Sequence, residues 1–321
     1  MLPKAHLHVH LEGTIRAATL VELAARHAVP EPGLYAFADL VSFFTTYQRV
    51  RECLSDAEDF RRIAYELCQD EAAQGVRYAE VTFTPAFHAL RLGDWDMPIA
   101  AILDGFLQGE ADFGVRCRLI LDHSRRRPYD LAEQTLALAV RYRDRGVVGF
   151  GLGGPEHGYP PEPYAPLFLD AIDNGLHSVP HAGEEAGPAS IRGALDALHA
   201  ERLGHGVRIL EDPDLVAEVV ERRIPLEVCP SVNVTTGVFP SLAEHPLPHL
   251  LEAGLVVTLN ADVPAMLAAP ISHEFTLARD VFGLDDETLA AIARAGVDAS
   301  FMDTTQKAAL GVEIDSWLAR G

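Results

Sequence analysis

Two periodicities alternate along the chain. Short apolar stretches rich in Val, Ile and Leu are separated by longer segments whose apolar residues recur at three- and four-residue intervals. The first stretch, His6-Leu7-His8-Val9-His10-Leu11, has a period of two. Successive strand side chains point to opposite faces, so His6, His8 and His10 share one face and Leu7, Val9 and Leu11 the other. The aliphatic face wants a core, and the imidazole face wants a partner. Further strands are predicted at 77–83, 115–122, 147–154, 176–184, 201–207, 224–231 and 255–262, eight in all. Helical spacing predicts helices over 17–28, over a broken 40–73, over 99–109 and 131–145, and near Phe168. Three more close the chain at 273–283, 287–296 and 298–310.

Eight strands alternating with helices predict a closed (β/α)8 TIM barrel. We expect one domain spanning 1–321. Its long 13–76 insertion should pack helices over the C-terminal mouth, with extra helices at the C-terminus. The rival architecture, an open doubly wound sheet, binds ligands beside a Gly-rich first turn. No G-x-G-x-x-G opens the first helix, and "GLGG" at 151–154 lacks the spacing and placement of a phosphate loop.

In such a barrel the functional residues stand at the C-terminal ends of the strands. Those ends carry His8, His10 and Glu12; His181 and Glu184; His205; and Asn260 and Asp262. A lone strand histidine is more often a satisfied core residue than a ligand. Four strand ends with the same chemistry point instead to a metal site. Imidazole nitrogens with one carboxylate suit zinc, with iron or cobalt admissible in principle. His8 and His10 reach one ion from one strand, and Asp262 joins them because strand eight neighbours strand one in a closed barrel. A second ion would call for a bridging lysine on a middle strand. The only lysines, Lys4 and Lys307, are not so placed, so a single metal is expected.

Composition narrows the partners. With 47 acidic and 26 basic residues the net charge is −21, which disfavours nucleic-acid backbones and anionic membranes but not a small uncharged nucleoside. Cys53, Cys68, Cys117 and Cys229 are scattered without disulfide-like or CxxC spacing, as in a reducing compartment. No leader-like segment or long apolar run is evident, so a cytoplasmic location is expected. No pattern in the chain sets an oligomeric state.

Together "PKAHLHVHLEGT", "HAGEE", "ERLGHGVR", "CPSVN" and "TLNAD", in this order, resemble the adenosine deaminase family of the amidohydrolase superfamily, from Pro3 to about Leu310. The resemblance implies a (β/α)8 barrel with one zinc ion held by His8, His10, His181 and Asp262. It implies Glu184 as proton donor to a purine ring, His205 beside the attacking water, and Asp262 as acceptor of the water's proton. It further implies substrate contacts from the backbone N–H of Gly154 and from Glu12. The family usually has a second aspartate after the metal-ligating one, hydrogen-bonded to the purine N7; here Val263 stands there. An unpaired buried ring nitrogen costs ~1–3 kcal/mol, so substrate identity is what Val263 alters. The implied activity is hydrolytic deamination of a 6-aminopurine nucleoside. Aminodeoxyfutalosine, adenine or another N-heterocycle are alternative substrates, and a non-catalytic binding protein that kept the fold is the alternative from another class.

Overall fold

The computed structural model describes residues 1–30 and 40–320. Eight strands follow one another around a parallel sheet in sequence order. They are β1 (Lys4–His10), β2 (Val76–Phe83), β3 (Arg116–Ser124), β4 (Val147–Gly153), β5 (His177–Ala182), β6 (Leu203–His205), β7 (Leu226–Val228) and β8 (Val257–Leu259). The ring closes where Val9 bridges Asp262, through His10 N–H to Asp262 O at 2.8 Å and Asp262 N–H to His8 O at 3.0 Å. The seam is pinned from beside it as well. The Asn260 side-chain oxygen accepts from the backbone N–H of Leu7 (2.8 Å) and His8 (3.1 Å). His6, fully buried, accepts from Ala261 N–H at 3.0 Å and lies 3.0 Å from a Glu71 oxygen through its other nitrogen. The first imidazole of the alternating run is therefore a structural clamp, not a ligand.

The barrel is (β/α)8 as the strand count predicts. The long insertion after β1 divides its work. Helix α1 (Ala17–His27) pairs with helix α3 (Ala57–Ala73) through Thr19 to Glu66 and Arg26 to Asp59, and among the described residues of the insertion α2 (Leu40–Glu52) is the helix that lines the mouth, through Phe43, Tyr47, Gln48 and Arg51. Residues 31–39 of that insertion lie outside the described residues. Helix α3 continues the amphipathic logic: Phe60, Ile63, Ala64, Leu67 and Cys68 are buried, and a capping box from Asp56 and Asp59 fixes its start. The insertion thus packs a helix over the mouth, as expected.

The predicted 298–310 helix is corrected. One helix runs Asp286–Ala299 and the next Thr304–Leu318. Asp303 starts the second with a capping box to Gln306, which overrides the apolar periodicity across the break. The interruption serves the barrel floor. Phe301 stacks on His177 (centroids 3.6 Å apart), and its N–H donates to Glu80 at 2.7 Å. Inside the floor Arg202, 1% exposed, pairs with Glu80 and Glu227 and donates to Ala299 O at 2.8 Å. Lys4 begins β1 at this floor, where its ammonium donates to Gln74 O at 2.7 Å, far from any bridging role at the mouth. All four cysteines are free and buried. No helix among the described residues is long and apolar enough to cross a membrane.

Candidate active site

At the C-terminal mouth the rings of His8, His10, His181 and His205 converge. The centroids of His8 lie 4.6 Å from His181 and 4.7 Å from His205. The Nε2 atoms of His10 and His181 are 3.2 Å apart. Two ligands of one tetrahedral zinc, with bonds of ~2.0–2.1 Å, stand ~3.3–3.4 Å apart, so this spacing fits a shared ion. Asp262 faces the same point, with Oδ1 3.7 Å from His10 Nε2 and Oδ2 4.0 Å from His8 Nε2. His8 supplies the clearest sign of a missing partner. Its Nδ1 is 2.8 Å from Glu227 Oε2, which sets Nδ1 as the donor, and its buried Nε2 has no hydrogen-bond partner. The donor set, the spacing and the orphaned nitrogen all fit a divalent metal.

Burial, reinforced by neighbouring imidazoles, pushes His8, His10 and His205 well below the usual histidine range, and burial brings His181 down to about 4. Neutral imidazoles are the form that ligates. Burial raises Asp262 to about 7, a penalty that a cation beside it would reverse.

Two residues of the cluster adopt left-handed backbone, His205 (φ 64°) and Asp262 (φ 60°). Of the four other non-glycine residues with positive φ among the described residues, Ala28, Arg223 and Ala268 end helices and His199 stands in the loop before β6. Strain of this kind in mid-chain costs on the order of 1–3 kcal/mol and gathers where geometry serves function.

Glu184 stands on the loop after β5, partly open to the cavity, with Oε2 3.5 Å from His205 Nε2. Burial, with Asp262, Glu156 and Glu185 nearby, holds its carboxyl well above the ordinary range, which favours its protonated form. The loop is tied down by Glu156, which the sequence did not single out. Its carboxylate accepts from the N–H of Gly183 (2.8 Å), Glu184 (2.8 Å) and Glu185 (3.0 Å). Gly183 sits at φ +76°, and a Cβ there would lie 2.5 Å from Ile191. We expect Glu156→Ala to keep its metal while kcat falls about 10²-fold, because the proton donor drifts. Metal analysis beside steady-state kinetics checks this, and unchanged kcat would make Glu156 a structural residue only.

His205 is oriented by a second relay. Leu247 N–H donates to His245 Nδ1 (3.2 Å), His245 Nε2 to the Asn233 oxygen (3.3 Å), and the Asn233 amide to His205 Nδ1 (3.2 Å). That leaves His205 Nε2 as a donor aimed at the cluster.

The remaining sequence candidates fare unequally. Gly154 lines the cavity at φ +80°, and a Cβ there would lie 2.7 Å from Ser124 Oγ. Val263 is buried, lines the cavity and packs on Gly13, where an added Cβ would come within 2.4 Å of it. Glu12 is fully buried and occupied elsewhere. Its oxygens meet His88 Nε2 (3.0 Å), Arg51 Nε (3.3 Å) and the Tyr47 hydroxyl (3.2 Å). Although burial opposes it, Arg51 and His88 bring its pKa down to about 2. Glu12 thus ties α2 to the end of β1, beneath the residues that line the cavity.

A parallel barrel that brings four imidazoles and one carboxylate together at its mouth, next to a glutamate whose carboxyl is held above its ordinary range, has the fold and the donor set of a barrel hydrolase. Comparison narrows the class: the adenosine deaminase family model matches residues 3–317, and the chain belongs to that family. The aminodeoxyfutalosine deaminase of Streptomyces coelicolor is 44% identical, over 99% of this chain and 85% of that protein. The crystal structure of an adenine deaminase from Arthrobacter aurescens superposes with a TM-score of 0.94 at 33% identity, covering 99% of this chain and all of that one. An amidohydrolase from Burkholderia ambifaria with bound Zn superposes at 0.91 and 30% identity, covering 100% of this chain and 93% of that one. The protein is a hydrolase of the deaminase type.

Proposed function

We propose that the protein is a zinc-dependent deaminase of a 6-aminopurine nucleoside, with one ion held by His8, His10, His181 and Asp262. The observation that carries the reading is the placement of Glu184, its Oε2 3.5 Å from His205 Nε2, beside the point at which His8, His10, His181 and Asp262 converge. When bound, zinc supplies water ionised near neutral pH, its pKa drawn from ~15.7 towards ~7. Glu184 donates its proton to a ring nitrogen, which makes the amine-bearing carbon electrophilic. Asp262 accepts the proton that the attacking water releases. His205 donates through Nε2 to the oxygen on which negative charge develops. Proton return to the amine expels ammonia and leaves the oxo product. Gly154, at the turn after β4, offers its backbone N–H to the purine edge, and Val263 closes the pocket without a hydrogen bond.

Among nucleosides aminodeoxyfutalosine ranks first, because a relative of that name is 44% identical. Adenine is the second reading, supported by the TM-score of 0.94 to an adenine deaminase. The test measures zinc content and ammonia release from adenosine, 2′-deoxyadenosine, aminodeoxyfutalosine, adenine and a set of aminopyrimidines. We expect about one zinc per chain, with a nucleoside giving the highest kcat/KM. Zinc with ammonia from aminopyrimidines alone would replace the purine by another heterocycle. Neither zinc nor ammonia would leave a binding protein.

A further inference from the structure

The cavity that holds the cluster has a volume of about 640 Å³, far more than a purine base fills, and it opens between α2 and the ends of β2 to β4. On that side stands Asp122, at the end of β3, 3% exposed and lining the cavity. One of its oxygens accepts from the Thr84 hydroxyl at 2.5 Å. Among the described residues no second side chain donates a hydrogen bond to this carboxylate. Its other oxygen, Oδ2, lies over Gly153, where a Cβ would come within 2.6 Å of it. The same Cβ position is 3.8 Å from Cε1 of His181, so Asp122 flanks the metal donors. Burial raises its carboxyl to about 6, the mark of an acceptor that lacks its full complement of donors.

A half-satisfied buried carboxylate facing a cavity needs a donor from the ligand. The ring cannot supply it from its reacting edge, which turns to Glu184, His205 and Asp262 across the mouth. The opposite edge of a purine nucleoside presents N3, an acceptor that repels a carboxylate, and beside it the sugar hydroxyls, which are donors. Glu12, the other acid near this region, is already occupied by Arg51, His88 and Tyr47. We propose that Asp122, braced by Thr84, accepts a hydrogen bond from a ribose hydroxyl and so selects nucleosides over the free base. The proposal rests on the deaminase reading above and adds the part of the substrate that the cavity recognises.

The test needs first only the unaltered enzyme with adenosine, 2′-deoxyadenosine, 3′-deoxyadenosine and adenine. At least one deoxy analogue is expected to lose about tenfold or more in kcat/KM against adenosine. Asp122→Leu should then lower the adenosine-to-adenine ratio of kcat/KM by about ten- to a hundredfold, mainly through KM. It should also erase the difference between adenosine and the sensitive deoxy analogue, as a shared hydrogen bond requires. Asp122→Asn, which keeps shape, should show a smaller change at full metal content. Equal handling of adenosine and both deoxy analogues would overturn the proposal while leaving the deaminase reading intact. So would a larger loss for adenine than for adenosine in Asp122→Leu, which would place the carboxylate on the N9–H of the base. No ammonia from any aminopurine by the zinc-loaded enzyme would overturn both.

Discussion

On the proposed mechanism Glu184→Gln is expected to keep its metal and to lose about 10²–10⁴ in kcat, the range that a positioned general acid contributes. The amide has nearly the shape of the acid but no proton to give. Geometry makes the case: Glu184 Oε2 lies 3.5 Å from His205 Nε2, and the backbone beneath it is fixed by Glu156. A raised carboxyl pKa holds the proton to a higher pH than an ordinary carboxyl does and releases it as the pH climbs. Activity that depends on the proton is therefore present below that raised pKa and lost as the pH rises through it. Metal analysis, kcat and the alkaline limb of the profile read the variant together. A Glu184→Gln enzyme with its metal and near-normal kcat would remove Glu184 from proton transfer.

Arg202→Leu is expected to cost on the order of 3–5 kcal/mol of folding stability, because it strands Glu80 and Glu227 as uncompensated buried carboxylates. Both are about 1% exposed or less. The loss is a large share of the ~5–15 kcal/mol that holds a typical domain folded. The midpoint of chemical denaturation measures it. Adding Glu80→Gln to Arg202→Leu should recover part of the loss by removing one stranded charge. A single variant within 1 kcal/mol of the parent would mean that the floor neutralises its carboxyls by protonation. Glu227 carries the effect upward, since it also contacts His8 Nδ1 at 2.8 Å. Metal affinity should therefore fall as well, by about 10–100-fold.

What could be read in advance, and what could not, follows from the range of the signals. The alternation of His6, His8 and His10 with aliphatics is local, so the strand and its faces were legible. Strand ends such as "HAGEE" and "TLNAD" set polar residues at the close of apolar runs, and the barrel's directionality put them together. The supports were not legible. Glu156 acts on Gly183, Glu184 and Glu185 from another loop, and Arg202 meets Glu80 across 122 positions of sequence. Each is a lone charge in an unremarkable context, paired only once the ring closes. Glu227 inside the apolar run "PLEVCP" did offer a hint, because a charge in a buried strand demands a partner. The sequence could not say which partner. Asp122 offered the same hint in "LILDHS". For Glu12 the sequence suggested a ligand contact but gave no sign of Arg51, His88 and Tyr47, the partners that meet its carboxylate once the helix over the mouth is in place.

Strand β4 turns three glycines inward, Gly149, Gly151 and Gly153, and added Cβ atoms there would lie 3.3 Å from Ile120, 3.0 Å from Asp122 Cβ and 2.6 Å from Asp122 Oδ2. The strand thus gives the lumen no wall of its own and borrows one from its neighbour. Drift toward a new substrate on this side must proceed by paired exchange, a methyl gained on one strand only as bulk is surrendered on the other.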